Sequence, residues 1–427
     1  MNNNSSNPDV IVVGAGAAGV GAGLALARLD VPHIILESSQ RVGGRAYSDV
    51  SSIGHLWDQG CHWFHSADVN VLRFMAEKIG HKFPPSESSG LAQLFSGGKW
   101  HRTPITDYFI WDVMAKIAGA GGDVPVAGLL NPAEELYPLI RHWCQLIYSR
   151  DPEEISTGDA GNYSDSGVNL PVEAGYGCLI ERMAEKLPVK RNAQVLEIRV
   201  GPTNVTVVTT QGSVAAKACV VAVPARVLER GAIFFDPGLP DTVVQAVNDV
   251  PMGWYEKVAI AFDGAVFEGF GSSFMDFCDP VGLEAKPVTF EIQPFGRPIA
   301  VAHFGGSVAR ELAVLGPANM IDFAVEALVR AFGSGIRRRI VATAATQWSR
   351  NSSIGGAYSC AKPGKAHVRQ AFAAPIHDRV FLAGEHVHQR YMATCHGAYE
   401  TGLSAGARAA AAAGYPQRET DALWLPS

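Results

Sequence analysis

The sequence has few charged residues and no long apolar run. Only 18% of its 427 residues are charged, against 47% that are hydrophobic, and this balance in a chain of such length indicates a large buried core. No stretch approaches the ~18 unbroken apolar residues of a membrane-spanning helix. The first residues are polar and uncharged, unlike the basic start and apolar run of a secretory signal. These absences predict a folded cytoplasmic protein that does not associate with membranes.

A basic excess and paired cysteines are also missing. The formal net charge is −6, so the chain offers no positive field to hold nucleic acid or anionic lipid. The seven cysteines are odd in number, scattered and never in a C-x-x-C pair, which predicts reduced thiols. No Ser/His/Asp triad, paired-carboxylate motif or phosphoryl-transfer motif occurs. This lack favours a site in which a cofactor carries the chemistry.

The first motif that is present predicts a bound dinucleotide. A short β-branched run at 10–13 leads into the glycine-rich turn Gly14-Ala15-Gly16-Ala17-Ala18-Gly19, followed by a helix-forming stretch and a second apolar run ending at Glu37. In this strand–turn–helix–strand frame the glycines let the backbone approach a pyrophosphate at the helix N-terminus. Glu37 would accept hydrogen bonds from the ribose hydroxyls. We therefore predict cofactor contacts at Gly14, Gly16, Ala18, Gly19 and Glu37.

The residues after Glu37 distinguish FAD from NAD. Arg41-Val42-Gly43-Gly44-Arg45 follows the acid directly. Here the sequence resembles the flavin-containing amine oxidase family, whose members carry R-x-G-G-R after the ribose-binding acid, whereas NAD dehydrogenases lack it. The resemblance implies FAD as the cofactor, with Gly44 and Arg45 among its contacts and Arg45 near the pyrophosphate.

The resemblance extends to the far end of the chain. The segment 194–198 is similar to the strand in which the family places a valine, here Val195, beside the adenine. Residues 379–386 resemble the last flavin-binding strand, where the acid, here Glu385, bonds the ribityl chain. Both residues are therefore predicted to contact FAD.

Two further segments are similar to parts of the family that surround the flavin ring. Thr394 and Cys395 open an alanine-rich helix that the family aims at the N1–C2=O edge of the flavin, where a helix N-terminus stabilises negative charge. The H-G-A-Y run in this helix is most similar to polyamine-oxidase-like members. The family lays the loop 58–65 near the ring, with Gly60 and Cys61 against the cofactor.

These separated segments predict an α/β fold with two interleaved domains. A Rossmann-like FAD-binding domain would comprise residues 8–66, 168–251 and 376–427. An α+β substrate-binding domain would comprise residues 67–167 and 252–375. Within the substrate-binding domain, the aromatic-rich stretch 89–165 is predicted to be helical and to form a wall of the pocket.

Lys257 is the first predicted catalytic residue. It lies in a Met-Gly-x-x-x-Lys-Val pattern at the start of a predicted strand. The family carries a lysine here that holds a water against flavin N5, and a cation at this place favours electron transfer. The alternative is an exposed lysine at a strand end.

Trp348 and Tyr358 are the other predicted catalytic residues. In mitochondrial-type monoamine oxidases the residue matching Ala357 is the cysteine that bonds the flavin. The side chain of alanine has no nucleophilic group that could bond the flavin, so FAD is predicted to be bound non-covalently. Tyr358 matches one wall of the family's aromatic cage, while the other wall matches Thr394, which is not aromatic. Tyr358 and Thr394 are predicted to contact substrate, although Tyr358 could instead be a packed core tyrosine.

His65 is the third predicted substrate contact, because it matches a pocket histidine of some polyamine oxidases; a structural role is the alternative. L-amino-acid oxidases of the superfamily place a methionine–arginine pair in this loop, whereas this chain has Cys61-His62. The lack of an arginine favours an amine without an α-carboxylate. The H-x-x-H spacing of His62 and His65 lacks the acid or cysteine partners of a zinc or iron site, so no metal site is predicted.

The resulting functional prediction is FAD-dependent oxidation of a primary or secondary amine. A hydride would pass to flavin N5, the imine would hydrolyse to an aldehyde or ketone, and O2 would reoxidise the flavin to give H2O2. The predicted partners are a small-molecule amine and O2 or another electron acceptor, and a homodimer stays open. The alternatives are a carbon–carbon desaturase or porphyrinogen-type oxidase, and a non-catalytic FAD-binding protein.

Overall fold

The computed structural model describes residues 7–85, 93–102, 105–277 and 286–416, with side chains omitted at 102, 105–110 and 273–277. Cys278 and the last part of the predicted 376–427 segment lie outside the described residues. The other six cysteines are free thiols, as predicted. No helix in the described ranges combines the length and apolarity needed to cross a bilayer.

The strands are β1 (Val10–Val13), β2 (His33–Leu36), β3 (Ser48–Asp49), β4 (Trp57–Asp58), β5 (Trp63–Phe64), β6 (Gln93–Ser96), β7 (Lys99–Arg102), β8 (Leu170–Pro171), β9 (Val189–Lys190), β10 (Val195–Val200), β11 (Val205–Thr209), β12 (Gly212–Ala216), β13 (Ala218–Val221), β14 (Phe234–Asp236), β15 (Tyr255–Phe262), β16 (Ser273–Phe277), β17 (Val288–Ile292), β18 (Ile299–Gly305), β19 (Ile340–Ala345) and β20 (Val380–Leu382).

The α-helices are α1 (Ala17–Arg28), α2 (Val71–Lys78), α3 (Ile105–Ala118), α4 (Tyr137–Tyr148), α5 (Thr157–Asn162), α6 (Tyr176–Ala184), α7 (Ala225–Glu229), α8 (Asp241–Asp249), α9 (Gly306–Leu315), α10 (Pro317–Phe332) and α11 (Cys395–Ala412).

A five-stranded parallel sheet, in the order β20-β13-β1-β2-β9, forms the centre of one half of the molecule. All four residues of β1 are buried, as expected for a parallel strand covered on both faces. Val13 pairs with both Leu36 and Val221. The carboxyl ends of β1 and β2 therefore lie side by side, which brings the glycine-rich turn next to Glu37.

Helices α1 and α11 pack closely against this sheet and each other through glycine. A Cβ on Gly402 would lie 2.0 Å from the carbonyl oxygen of Ala18, and one on Gly21 would lie 2.4 Å from that of Tyr399. Contacts this short exclude a side chain at either position. The glycines thus let the helix that follows Thr394 lie directly on the helix that follows Gly16.

A seven-stranded sheet, in the order β19-β15-β18-β17-β16-β6-β7, forms the other half. Strand β15 alternates: Val258, Ile260 and Phe262 join the apolar core that includes residues of α9 and α10. Lys257 points to the opposite face, where it is paired in register with His303. One face of this sheet is therefore core, and the other is available for a site.

The two sheets draw on different parts of the sequence. The parallel sheet takes its strands from the three segments predicted to bind FAD, and the seven-stranded sheet takes its strands from the two segments between them. The domain boundaries stay a prediction. The aromatic-rich stretch is not wholly helical as predicted, because β6 and β7 form a hairpin within it that joins the second sheet.

Candidate active site

The glycine-rich turn is fixed by contacts that only glycine allows. Gly14 has a φ of +96°, in the left-handed region, and a Cβ on Gly19 would lie 1.8 Å from the carbonyl oxygen of Gly14. The Gly14 amide donates to the carbonyl of Leu36 at 2.8 Å. The turn therefore folds back tightly from β1 into α1, with Ala18 buried in the first turn of the helix.

The N-terminus of α1 and Glu37 border the same space. Gly16 is the N-cap residue of α1 and no side chain caps the helix. A Cβ on Gly16 would have no neighbour closer than 3.9 Å, the nearest being the Cα of Gly44. Glu37 accepts hydrogen bonds from the amides of Ala15 and Ser39, each at 2.8 Å. An uncapped helix N-terminus bordered only by glycine and a fixed carboxylate is suited to a pyrophosphate and a ribose.

Arg45 and Glu385, 340 residues apart in sequence, form an ion pair at 2.9 Å. Arg45 also donates to the carbonyl of Ala357, and Ser359 donates its hydroxyl to Glu385 at 2.7 Å. Burial opposes the charged form of Glu385, but Arg45 and these other partners lower its pKa to about 2. The pair is therefore charged and held in place.

The remaining predicted cofactor residues fall into three groups. A Cβ on Gly60 would lie 1.6 Å from the carbonyl oxygen of Arg45. The thiols of Cys61 and Cys395 are hydrogen-bonded to each other. Thr394 caps α11 by accepting from the Gly397 amide at 3.0 Å. These contacts join the loop 58–65 to the start of α11. Val195 lies in an apolar core with residues of β1 and β2, and its contact with the adenine stays a prediction.

This set of residues fits FAD. The helix N-termini of α1 and α11, the glycine cradle at Gly16 and Gly44, and the acid at Glu37 provide donors and acceptors for a dinucleotide. The ion pair of half-buried Arg45 with buried Glu385 connects this region to Ala357. Together these residues would hold the adenosine, pyrophosphate and flavin parts of the cofactor.

Lys257 is buried and tightly held. Its Nζ donates to the carbonyl oxygens of Asp58 at 3.0 Å and Gly60 at 2.7 Å, and lies 3.1 Å from Nδ1 of His62. Burial lowers the pKa of Lys257 to about 8, although the nearby carboxylates favour its charged form. Lys257 is therefore not an exposed lysine at a strand end: it anchors the loop predicted to lie against the flavin.

Trp348 is positioned by a buried acid that the sequence motifs did not identify. Glu256 accepts from the amides of Trp348 and Ser349 and from the hydroxyl of Thr346, at 3.0, 2.9 and 2.6 Å. The indole Nε1 of Trp348 in turn donates to the carbonyl of Gln59 at 3.0 Å. Trp348 therefore contacts Gln59, and Lys257 contacts Asp58 and Gly60. Both side chains hold the segment 58–60.

An aromatic and imidazole wall lies beside Lys257. The rings of Tyr358 and Tyr255 are 6.0 Å apart, and the Tyr255 hydroxyl hydrogen-bonds Nδ1 of His303 at 2.8 Å. The Tyr358 hydroxyl donates to the carbonyl of Leu146. Tyr255, two residues before Lys257 in β15, was missed by the sequence motifs, but strand alternation places it on the same face as the lysine.

Two predicted substrate residues are not part of this wall. Thr394 directs its hydroxyl to its own turn, where it donates to the carbonyl of Tyr391 at 2.7 Å. His65 is exposed and hydrogen-bonds Asn169 at 2.8 Å. Their contact with substrate stays a prediction, whereas Tyr255 and His303 take positions close to Lys257.

Comparison with known proteins agrees with this geometry. The sequence profile of the flavin containing amine oxidoreductase family matches residues 17–116 and 122–410, so the chain belongs to that family. It is a flavin-dependent amine oxidoreductase, and FAD is its cofactor.

Particular relatives cover almost the whole chain. Polyamine oxidase 4 of Oryza sativa subsp. japonica is 26% identical over 94% of this chain and 88% of its own length. Human lysine-specific histone demethylase 2 is 25% identical over 95% of this chain but 54% of its own. Cyclohexylamine oxidase from Brevibacterium oxydans IH-35A superposes with a TM-score of 0.78 at 21% identity, over 96% of this chain and 99% of that one. This last likeness establishes the fold.

Proposed function

We propose that the protein oxidises a neutral primary or secondary amine by transfer of a hydride from the α-carbon to the flavin. The resulting imine hydrolyses to an aldehyde or ketone, and O2 is the oxidant, giving H2O2. The observation that carries this proposal is the position of Lys257, buried behind the loop 58–60 and next to the tyrosine wall.

Bound FAD supplies the hydride acceptor, and the residues of the chain orient and desolvate the amine. The rings of Tyr255 and Tyr358, 6.0 Å apart, would give the amine an apolar contact that favours its uncharged form over its protonated form. Lys257 donates to the carbonyls of Asp58 and Gly60 and so fixes the loop 58–60, and its positive charge favours electron transfer to the flavin. Arg45 is already paired with Glu385, so its guanidinium is not free to clamp an α-carboxylate.

The cofactor is held without a covalent bond in this proposal. Ala357 occupies the position where a flavin-linking cysteine would stand, and its carbonyl is engaged by Arg45. Acid precipitation of the holoenzyme should therefore release all the yellow colour into the supernatant. Flavin that stays with the pellet would contradict this part of the proposal.

An anaerobic reduction panel tests the reaction itself. The relatives named above suggest cyclohexylamine, a polyamine and a peptide with methylated lysine as amines, with an L-amino acid as the control that carries an α-carboxylate. At least one of the amines should bleach the flavin, and admission of O2 should restore its colour and produce H2O2. Absence of bleaching by every amine would favour a desaturase or a non-catalytic FAD-binding protein.

A further inference from the structure

Two cysteine thiols are in contact where the loop 58–65 meets the start of α11. The thiols of Cys61 and Cys395 are hydrogen-bonded to each other. Both residues are only partly buried, as is Cys178, whereas the other three described cysteines are buried. The pair therefore combines contact between two sulfur atoms with access for a small solute.

Cys61 is held by contacts of its own loop. Its amide donates to the carbonyl of Arg45 at 3.4 Å, and its thiol lies 3.9 Å from the same oxygen. The preceding residue, Gly60, is fixed because its carbonyl accepts from Nζ of Lys257 at 2.7 Å. The Cys61 sulfur thus has little freedom to leave its position.

Cys395 is held from the opposite side. It is the first residue of α11, and the N-cap residue Thr394 accepts from the Gly397 amide at 3.0 Å. The hydroxyl of Tyr176, a residue only 1% exposed, hydrogen-bonds the Cys395 thiol. Because both thiols are fixed next to each other, a bond between them forms in an intramolecular step, without a search for a partner.

The surroundings make the two thiols unequal. The hydrogen bond from Cys395 lowers the pKa of Cys61, and the positive charges of Arg45 and Lys257 act in the same direction, while burial opposes them. The same hydrogen bond raises the pKa of Cys395. Cys61 is therefore the thiol that ionises first, and the thiolate is the reactive form. An ionised, accessible cysteine beside a second thiol is the arrangement found in redox-responsive pairs.

We propose that Cys61 and Cys395 are a modification site at which H2O2 forms a reversible disulfide. The Cys61 thiolate attacks one oxygen of H2O2, the O–O bond breaks, and hydroxide leaves a sulfenic acid on Cys61. Cys395 gives up its proton and attacks that sulfur, and the S–O bond breaks with loss of a second hydroxide. In total the two thiols lose two electrons and two protons, and H2O2 is reduced to two water molecules.

The position of the pair gives this oxidant a source. The loop 58–65 and the start of α11 are the two segments predicted to surround the flavin ring, and the proposed oxidation of an amine releases H2O2 there. This source rests on the proposed function, whereas the disulfide itself needs only H2O2. A disulfide requires a distance of about 2.05 Å between the sulfur atoms, so its formation would draw the loop 58–65 onto the start of α11.

Thiol counting on the FAD-loaded wild-type enzyme tests the proposal. The enzyme is reduced with dithiothreitol, freed of the reductant under argon and treated with H2O2 in the absence of any amine. Thiol titration in guanidinium chloride should then give five thiols in place of the seven in the sequence, and dithiothreitol should restore all seven. Mass spectrometry of a non-reduced digest should find the peptides of Cys61 and Cys395 joined.

Two variants separate the roles of the thiols. In Cys395→Ser, H2O2 should consume one thiol instead of two and leave Cys61 as a sulfenic acid that dimedone traps. Cys178→Ser is the matched control, because Cys178 is also partly buried and free. This control should still lose two thiols, and the digest should still show the same joined peptides.

The wild-type digest decides the question even where Cys395→Ser does not fold. Seven thiols after treatment with H2O2, or a disulfide that joins other cysteines, would overturn the proposal. No amine enters any of these experiments, so failure of the disulfide is distinguishable from failure of the proposed amine oxidation.

Discussion

The two large sheets place their polar groups in opposite ways. In the parallel sheet the central strand β1 is apolar throughout, and the polar groups lie in the turns beyond the carboxyl ends, at Gly14 and Glu37. In the seven-stranded sheet polar side chains lie within the strands themselves, as Lys257 and His303 do. Backbone geometry therefore positions the predicted cofactor residues, whereas strand register positions the residues proposed to lie beside the substrate.

This difference determines which substitutions should be damaging in each region. Near the parallel sheet an added methyl group is harmful wherever backbone atoms touch, as at Gly19. On the polar face of the seven-stranded sheet, loss of a single functional group should change reactivity while the fold survives.

Gly19→Ala should destabilise the fold most. The new Cβ would lie 1.8 Å from the carbonyl oxygen of Gly14, and backbone on both sides must move. We expect the free energy of unfolding to fall by at least about 3 kcal/mol, the upper part of the overpacking range, with loss of bound FAD. Urea unfolding and the flavin content of the purified protein measure both effects.

Gly128→Ala is the matched control, since a Cβ there meets nothing within 4 Å. It should change the free energy of unfolding by no more than about 0.5 kcal/mol. Equal stability of the two variants would show that the turn at Gly14 is not closed as described.

Glu385 should make stability depend on acid pH. Its folded-state pKa of about 2 lies below its ordinary value of 4.5, so the stabilisation is complete above pH 4.5 and is lost as the pH falls from there toward 2. The shift corresponds to about 3 kcal/mol. Urea unfolding of wild type and Glu385→Gln at a series of pH values should show a difference that shrinks over this interval. A constant difference from pH 6 to pH 2 would mean that the Arg45 ion pair does not set this pKa.

Lys257→Met should leave the fold and FAD content intact but slow the chemistry. The substitution keeps the apolar stem and removes the donor to Asp58 and Gly60. Stopped-flow rates of flavin reduction and reoxidation should fall at least about tenfold, equivalent to about 1.4 kcal/mol of barrier. Reoxidation should be affected more, because a fixed positive charge stabilises the charge that develops during transfer of electrons to O2. Wild-type rates with full FAD content would remove Lys257 from the mechanism.

The contrast between the two sheets also explains what the sequence could predict. The turn at Gly14, the acid at Glu37 and the capped start of α11 are local patterns, because each constraint acts between residues close in sequence. Lys257 was identified through its motif, and its burial confirms that it is not a surface lysine. His303 carries no local signal, since it reaches Lys257 only through the pairing of β15 and β18.

Glu256 shows a second limit of prediction from the sequence. Alternation along β15 predicts that it faces away from Lys257, where a carboxylate would be costly to bury unless hydrogen-bonded. Its partners are the backbone amides that begin the short helix Trp348–Arg350, which follows β19. That helix start cannot be located from the sequence near Glu256, so the role of this acid as the support of Trp348 emerges only from the fold.

The interlocking of α1 with α11 has a consequence for the order in which the protein can fold. Central strand β1 takes one neighbour from residues 33–36 and the other from 218–221, and the sheet then continues to an edge strand at 380–382. Helix α11, which covers this sheet, ends at Ala412. During synthesis the surface of α1 that packs against α11 therefore stays uncovered until residue 412 has left the ribosome. Native closure of this half is a late event dominated by contacts distant in sequence, which favours slow folding.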